Sequence, residues 1–322
     1  MNILLWHVHG SWTTSFVQGK HRYLVPVNAD RDAWGRGRAQ TFDWPETVEE
    51  VDLAGVRDVD VVVLQRPDEL ERVAHLDVPK IYVEHNTPKG DVPNTRHPMA
   101  DRDDLVIAHV THFNDLFWDV GGTRTTVIEH GVVEPAARWT GELDRLAVVT
   151  NEPIRRGRVT GTDLFGRFAA VAPLDVFGMG VAGLRSPDRR GGSAALHRSH
   201  EITAYDDPPQ AEMHGLLARR RAYLHLCRWT SLGLSLIEAM QMGMPVLALA
   251  TTEAIAAVPP DAGVLSTRVD TLVEAAQWLI DEPEQARRLG ARARQVALAR
   301  YGLDRFLADW DRLLEEGTCA SR

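Results

Sequence analysis

The stretch Thr230-Ser-Leu-Gly-Leu-Ser-Leu-Ile-Glu-Ala-Met-Gln-Met-Gly-Met-Pro-Val-Leu-Ala-Leu-Ala250 decides how the chain is read. It holds a glycine-containing turn, a helix opening at Ser235, a carboxylate at Glu238, a Gly243/Pro245 stop and an apolar strand. A helix start leaves backbone N–H groups unpaired at the positive end of the helix dipole, so a turn of small residues there can hold a phosphate. A carboxylate one turn further in can accept from a sugar hydroxyl beside that phosphate. The competing reading is an ordinary loop–helix–strand unit, with Ser235 as a cap and Glu238 merely favouring the dipole.

Upstream of this stretch the sequence alternates short apolar runs with segments of helical composition. Asn2–Val8, Lys20–Val27, Val59–Leu64, Lys80–Val83, Leu105–His109 and Thr126–Glu129 read as buried strands. Pro67–His75 reads as helix between two of them, and Ser11–Ser15 as a polar and aromatic loop. Strands alternating with helices imply parallel pairing in a doubly wound sheet, with ligands beyond the carboxyl ends of the strands. His7, His9, His85 and His130 fall at such ends and would give that edge a titratable lining. Any one of them is as well explained by a structural role.

After Pro135–Glu142 the alternation restarts. Leu146–Thr150 is read as a strand, followed by the Arg-rich turn Asn151–Arg158 opening a helix to about Ala172. Leu174–Phe177 is the next strand, ending in Gly178-Met-Gly180, and Leu184–Ser199 is an Arg- and Gly-rich stretch read as mobile. Ile202–Tyr205 reads as an edge strand and Ala211–Arg221 as a helix whose Arg219-Arg220-Arg221 triplet is a solvated end suited to the dipole. Ala222–Leu226 and Val246–Ala250 flank the opening stretch as strands, and helices close the chain over Thr267–Ile280, Pro283–Arg300 and Leu303–Leu314.

At 322 residues the chain has room for two domains. Its formal net charge of −9 argues against a general polyanion binder, so no nucleic-acid partner is expected. Two cysteines, Cys227 and Cys319, make a disulfide framework unexpected and a reducing compartment the default. The N-terminus lacks the features of a targeting segment and no apolar run approaches a membrane span, so a cytoplasmic protein is expected. No His-x-x-x-His or Cys-x-x-Cys spacing offers a metal cage, and no metal is expected. Arg155 and Arg156 would then neutralise leaving-group charge themselves.

The run Gly233-Leu-Ser-Leu-Ile-Glu-Ala-Met240 with Gly243 and Pro245-Val246 resembles the retaining GT-B glycosyltransferases of family four, the glycosyl transferases group 1. Val127-Ile-Glu-His-Gly-Val132 is similar to that family's Ile-Pro-Asn-Gly-Val at the domain hinge, and Arg156-Gly157 falls where the family has Lys-Gly. The resemblance is specific over about residues 126–315 and diffuse before that. It implies two Rossmann-like domains facing a central cleft: an acceptor domain over 1–137, a donor domain over 138–302, and a C-terminal helix, 303–322, crossing back to the first. It implies transfer of a sugar from a nucleotide-diphosphate sugar to a hydroxyl acceptor, with retained configuration, no metal and no further cofactor, hence a hexosyltransferase-type enzyme. Glu238 would bind the ribose. Gly233, Leu234 and Ser235 would give backbone contacts near the phosphates, Gly10 would lie in the first-strand turn that approaches them, and Asn151, where the family usually has an Arg, and Gly180 would belong to the donor site. Arg156, with Arg155, would stabilise the departing diphosphate, and His85 would stand near the transferred sugar. His7, His9 and Trp12 are candidates to meet a polar, carbohydrate-like acceptor, the tryptophan offering a face to stack on.

This sequence departs from the family where the first carboxylate of the Glu-x7-Glu pair would be, because the residue there is Thr230. A hydroxyl can hydrogen-bond the donor sugar but carries no charge near an oxocarbenium-like transition state. Two other readings stand beside transfer: a degenerate member that binds a sugar nucleotide without turnover, and a sugar-nucleotide epimerase.

Overall fold

Apolar runs bounded by Gly, Pro, His or Asp become parallel strands buried on both faces, as Val61–Leu64 illustrates with all four residues buried. The computed structural model describes residues 1–185 and 201–319. They form two compact units, Met1–Val133 with Tyr301–Arg322, and Glu134–Arg300.

The first unit begins β1 (Asn2–Leu5), α1 (Gly10–Phe16), β2 (Arg22–Pro26), β3 (Val48–Val51) and β4 (Val61–Leu64). It continues α2 (Glu69–Arg72), β5 (Lys80–Glu84), β6 (Leu105–His109), α3 (His112–Phe117) and β7 (Arg124–Val127). Its strands lie in the order β3-β2-β1-β4-β5-β6-β7, all parallel. Leu4 pairs with Leu24 on one side and Val62 on the other, and these three join Trp6, Tyr82 and Ile107 in one core cluster.

The second unit runs β8 (Leu143–Val149), α4 (Pro153–Arg156), α5 (Phe165–Phe168), β9 (Leu174–Gly178), β10 (Ile202–Asp206) and α6 (Gln210–Leu217). There follow β11 (Arg220–His225), α7 (Leu234–Met242), β12 (Val246–Leu249), α8 (Ala254–Ala257), β13 (Gly263–Ser266), α9 (Val269–Asp281) and α10 (Pro283–Tyr301). The strand order is β10-β9-β8-β11-β12-β13, again parallel throughout. The last helix, α11 (Leu303–Cys319), belongs to the first unit and buries Phe306, Trp310, Leu313 and Leu314 along one face.

Three expectations are corrected. The segment after β1 is the helix α1 rather than a loop: Trp12 and Phe16, four residues apart, are each 1% exposed and stack with centroids 5.0 Å apart. The helix expected from 151 to about 172 is broken into α4, short 3-10 turns and α5, because Gly157 and Gly161 take φ of +47° and +76°. A side chain at Gly161 would in addition run into the Leu226 carbonyl, so the break also lets β11 approach. The arginine triplet is no solvated helix end. α6 stops at Leu217, and Arg220 and Arg221 open β11 as buried residues.

Burying a guanidinium is tolerated only with full pairing. Arg220 Nε donates to the buried carboxylate of Asp175 at 2.7 Å and Nη2 to the Tyr205 hydroxyl at 3.0 Å, while Arg145 pairs with the same aspartate. Arg221 donates to the carbonyls of Gly141 at 2.9 Å and Ile280 at 2.7 Å and pairs with Asp144. Both arginines thus tie β11 to its surroundings. β3, β13 and α3 come from segments the sequence left unassigned; β3, Val-Glu-Glu-Val, is an edge strand whose glutamates pair with Arg22 and Arg31. From residue 186 on, the stretch expected to be mobile lies outside the described residues.

Candidate functional site

In each unit the strand order reverses beside the first strand: between β1 and β4 in one, between β8 and β11 in the other. A doubly wound sheet opens a crevice at the carboxyl ends of such a pair, where the connecting helices part to opposite faces. In the second unit those ends carry Thr150–Arg156 after β8 and Leu226–Ser235 after β11.

Gly233, with φ −73° and ψ 122°, is the N-cap of α7; no side chain caps the helix, which starts at Leu234. The first N–H groups of a helix have no intrahelical partner, so this end offers donors and positive potential to an anion. Ser235 lies inside the first turn rather than at the cap, and its Oγ is 2.9 Å from the Tyr223 hydroxyl. Glu238 is 3% exposed. Its Oε1 accepts from Gln210 Nε2 and its Oε2 stands against His214 Nε2, each at 3.1 Å. Two side chains of α6 therefore fix the carboxylate's plane, which a residue merely complementing the dipole does not need.

The loop after β8 brings up the arginines. Arg155 is largely exposed and paired with Glu152. Arg156 is half-buried, and its positive charge acts on the Cys227 thiol of the β11 loop. Burial outweighs that charge and pushes Cys227 up to about 11, so the thiol stays protonated at neutral pH. Arg228 closes the arrangement: its N–H donates to the Val159 carbonyl at 2.8 Å and its side chain pairs with Asp163, joining the β11 loop to the turns after α4. Asn151 is exposed and its Oδ1 accepts from the Met179 N–H at 3.0 Å, so it shapes the turn before Gly180, whose φ is +72°. Thr230 is half-buried in the β11 loop. Arg156, Thr230, Gly233, Leu234, Ser235 and Glu238 thus lie on adjoining strand-to-helix connections.

In the first unit, β1, β5 and β7 lead to a cluster of imidazoles. The rings of His9 and His85 lie 4.0 Å apart, and the Trp12 ring meets His85 edge-on at 5.0 Å. Burial depresses all three histidines of the cluster. His85 falls well below its ordinary value with help from His9 and His130, His9 falls against the pull of Glu84, and His130 drops to about 3 with help from His9 and Arg305. They are neutral at physiological pH. His7 is held apart, with Nδ1 3.1 Å from the Gly37 carbonyl and its ring 4.8 Å from that of Trp44. Gly10 is the first residue of α1.

Trp12 corrects an expectation: at 1% exposure, packed on Phe16, His85, Phe306 and Trp310, it has no face left for a sugar. Sequence reasoning also missed three side chains of the second unit. Gln210 and His214 hold Glu238 from 28 and 24 residues away, beyond any local pattern. His225 ends β11 with its ring against Gly233 and was legible by the same strand-end rule that picked out His85.

Among the described residues no group of three or more His, Cys, Asp or Glu side chains is arranged to hold a metal ion, and no helix is long and apolar enough to cross a membrane. No curated protein matches the sequence. Among solved structures, the sucrose-phosphate synthase of Thermosynechococcus elongatus superposes with a TM-score of 0.73 at 13% identity, over 99% of this chain and 100% of that one. Anabaena HepE in complex with UDP-glucose gives 0.71 at 14% identity, over 98% of this chain and 100% of that one. Staphylococcus aureus TarM gives 0.58 at 15% identity over 79% of this chain, which spans about half of TarM's length (54%). These likenesses show the fold, two parallel-sheet Rossmann-like domains of the GT-B type. Residues 193–296, from just before β10 into α10, match the family described as Glycosyl transferases group 1.

Proposed function

We propose that the protein transfers a sugar from a nucleotide-diphosphate sugar to a hydroxyl of a polar, carbohydrate-like acceptor, with retained configuration and without a metal. The observation that carries this reading is the second unit's switch point. There an uncapped helix start at Gly233 and a buried, doubly held Glu238 stand beside the Arg156 connection. An anion site next to a fixed carboxylate is the donor–acceptor pattern of a nucleoside diphosphate, whose phosphates seek N–H groups and whose ribose offers hydroxyls. HepE is seen with UDP-glucose, which makes glucose nucleotides the first donors to try.

In this reading Glu238 accepts from the ribose, and Gly233, Leu234 and Ser235 present backbone N–H groups to the phosphates. Arg156 meets the charge that develops as the bond between the anomeric carbon and the diphosphate breaks. Arg155, engaged by Glu152, contributes less. Thr230 offers the donor sugar a neutral hydroxyl, and Asn151, Gly180 and Gly10 shape the approach of the backbone. His85 stands by the transferred sugar, kept neutral by burial and therefore a hydrogen-bond partner rather than a cation. His7 and His9 serve the acceptor.

The test incubates the protein with UDP-, GDP-, ADP- and dTDP-glucose in chelator, with a panel of saccharide acceptors, and reads anomeric configuration by NMR. An α-linked product from an α-linked donor is expected. A β-linked product overturns retention, and loss of activity in chelator overturns metal independence. Binding without turnover favours the degenerate alternative, and an epimerised free donor favours the epimerase.

A further inference from the structure

Beside Gly233 lies a side chain for which packing alone gives no account. His225 ends β11, the strand on the inner side of the second unit's switch point, and is 4% exposed. A Cβ placed on Gly233 would come within 2.8 Å of His225 Cε1, 3.6 Å of its Nδ1 and 3.7 Å of Ser235 Oγ. The imidazole edge, the serine hydroxyl and the bare helix start therefore enclose the space that only a glycine leaves open.

Buried polar side chains in folded proteins are nearly always satisfied, and a histidine carries a donor or acceptor at each ring nitrogen. The ring of His225 has one ring neighbour, Tyr223, stacked with centroids 6.5 Å apart, and takes no hydrogen bond from any described residue. The Tyr223 hydroxyl is paired with Ser235 Oγ instead. An imidazole nine-tenths buried, unbonded and aimed at the N-terminus of a nine-residue helix is arranged for something that arrives from outside.

We infer that His225 is a phosphate-binding residue of the donor site: it donates to a phosphate oxygen of the nucleotide sugar seated on the α7 start and takes up a proton as that anion binds. The inference rests on the donor reading of the same site. Chemistry favours a phosphate over the ribose or base, because two kinds of N–H donor converge there with the helix dipole behind them. Burial alone lowers the ring to about 4, so it is neutral. Tyr223 stacks on its ring and Cys227 lies two residues beyond, and no charged or titratable group is a cause of that shift. An incoming diphosphate supplies the opposite charge that is missing and raises the value.

The experiment is calorimetry with the glucose nucleotide that binds the wild type best among UDP-, GDP-, ADP- and dTDP-glucose. It is run at pH 6 and pH 8 in buffers of different ionisation enthalpy, on the wild type, His225→Gln and His225→Phe. Sugar nucleotides suit this because their diphosphate does not titrate in that range, so proton uptake reports on the protein. Expected are uptake by the wild type at pH 6, its loss in both variants, and Kd values weakened by about 10-fold at pH 6 with a smaller gap at pH 8. Unchanged uptake and affinity in a folded variant overturns the inference. So does a loss of affinity that is equal at both pH values with uptake unchanged, since that reports packing. If none of the four nucleotides binds the wild type, the donor reading falls and this inference falls with it. Binding that is indifferent to His225 removes only the latter.

Discussion

The two switch points share a topology and differ in almost everything else. Beyond β1, β5 and β7 the first unit gathers neutral imidazoles, with His85 edge-on to Trp12, which in turn packs on Phe306 and Trp310. Beyond β8 and β11 the second unit leaves a helix end uncapped, fixes a carboxylate from two sides and raises an arginine beside them. One end is built around ring packing and imidazoles held neutral by burial, the other around donors kept available for an anion. The same sheet thus positions either chemistry, and the residues at the strand ends decide which.

The largest effect that separates the two is on stability. Trp12→Ala empties a fully buried site among four rings and should cost about 3–5 kcal/mol in urea unfolding. It should leave the nucleotide affinity of the folded protein within about 2-fold of the parent, a difference of well under 1 kcal/mol. A large loss of affinity in the folded variant would join the two ends energetically and break the contrast.

Acid should act unevenly as well. His109 and His130 are lowered to about 4 and about 3 in the folded first unit, and His9 and His85 are lowered too. In the second unit His225 is lowered to about 4. Below the unfolded value of about 6.5 the unfolded chain binds the proton that the folded chain refuses, so stability is full above that pH and falls as pH drops. Each deeply shifted histidine removes about 2 kcal/mol by pH 5. Pulsed hydrogen exchange read peptide by peptide should show the first unit opening at higher pH than the second; the reverse order contradicts the burial pattern.

The smallest effect sharpens the donor side. Arg156→Ala should weaken nucleoside-diphosphate binding by about 10-fold, whereas Arg155→Ala, whose side chain is engaged by Glu152 and largely exposed, should change it by less than about 2-fold. Calorimetry on both variants checks the ranking, and equal losses would return Arg155 to a full role.

What the sequence revealed followed the range of the interactions. Parallel strands announce themselves as apolar runs, so Val61–Leu64 and Val246–Leu249 were legible, as was the glycine-led start of α7. α1 was not, because Thr13 and Ser15 are buried beside Trp12 and hide the helical period. The buried role of Arg220 and Arg221 was invisible locally: it depends on Asp175, 45 residues away, and Asp144, 77 away. The break at Gly157 and Gly161 was open to view, since glycines inside a helical pattern are a warning that composition alone overrode. His225 was equally open to view.

The central claim is that the second unit holds a nucleoside diphosphate through Glu238. Calorimetry of UDP, GDP, ADP and dTDP against the wild type and Glu238→Ala, each first shown to be folded, tests it most directly. The account predicts that one of the four binds the wild type and that the substitution weakens it by about 100-fold, the worth of charge-assisted hydrogen bonds lost from a buried carboxylate. Equal affinity in the two proteins, or no binding of any of the four to the wild type, contradicts it.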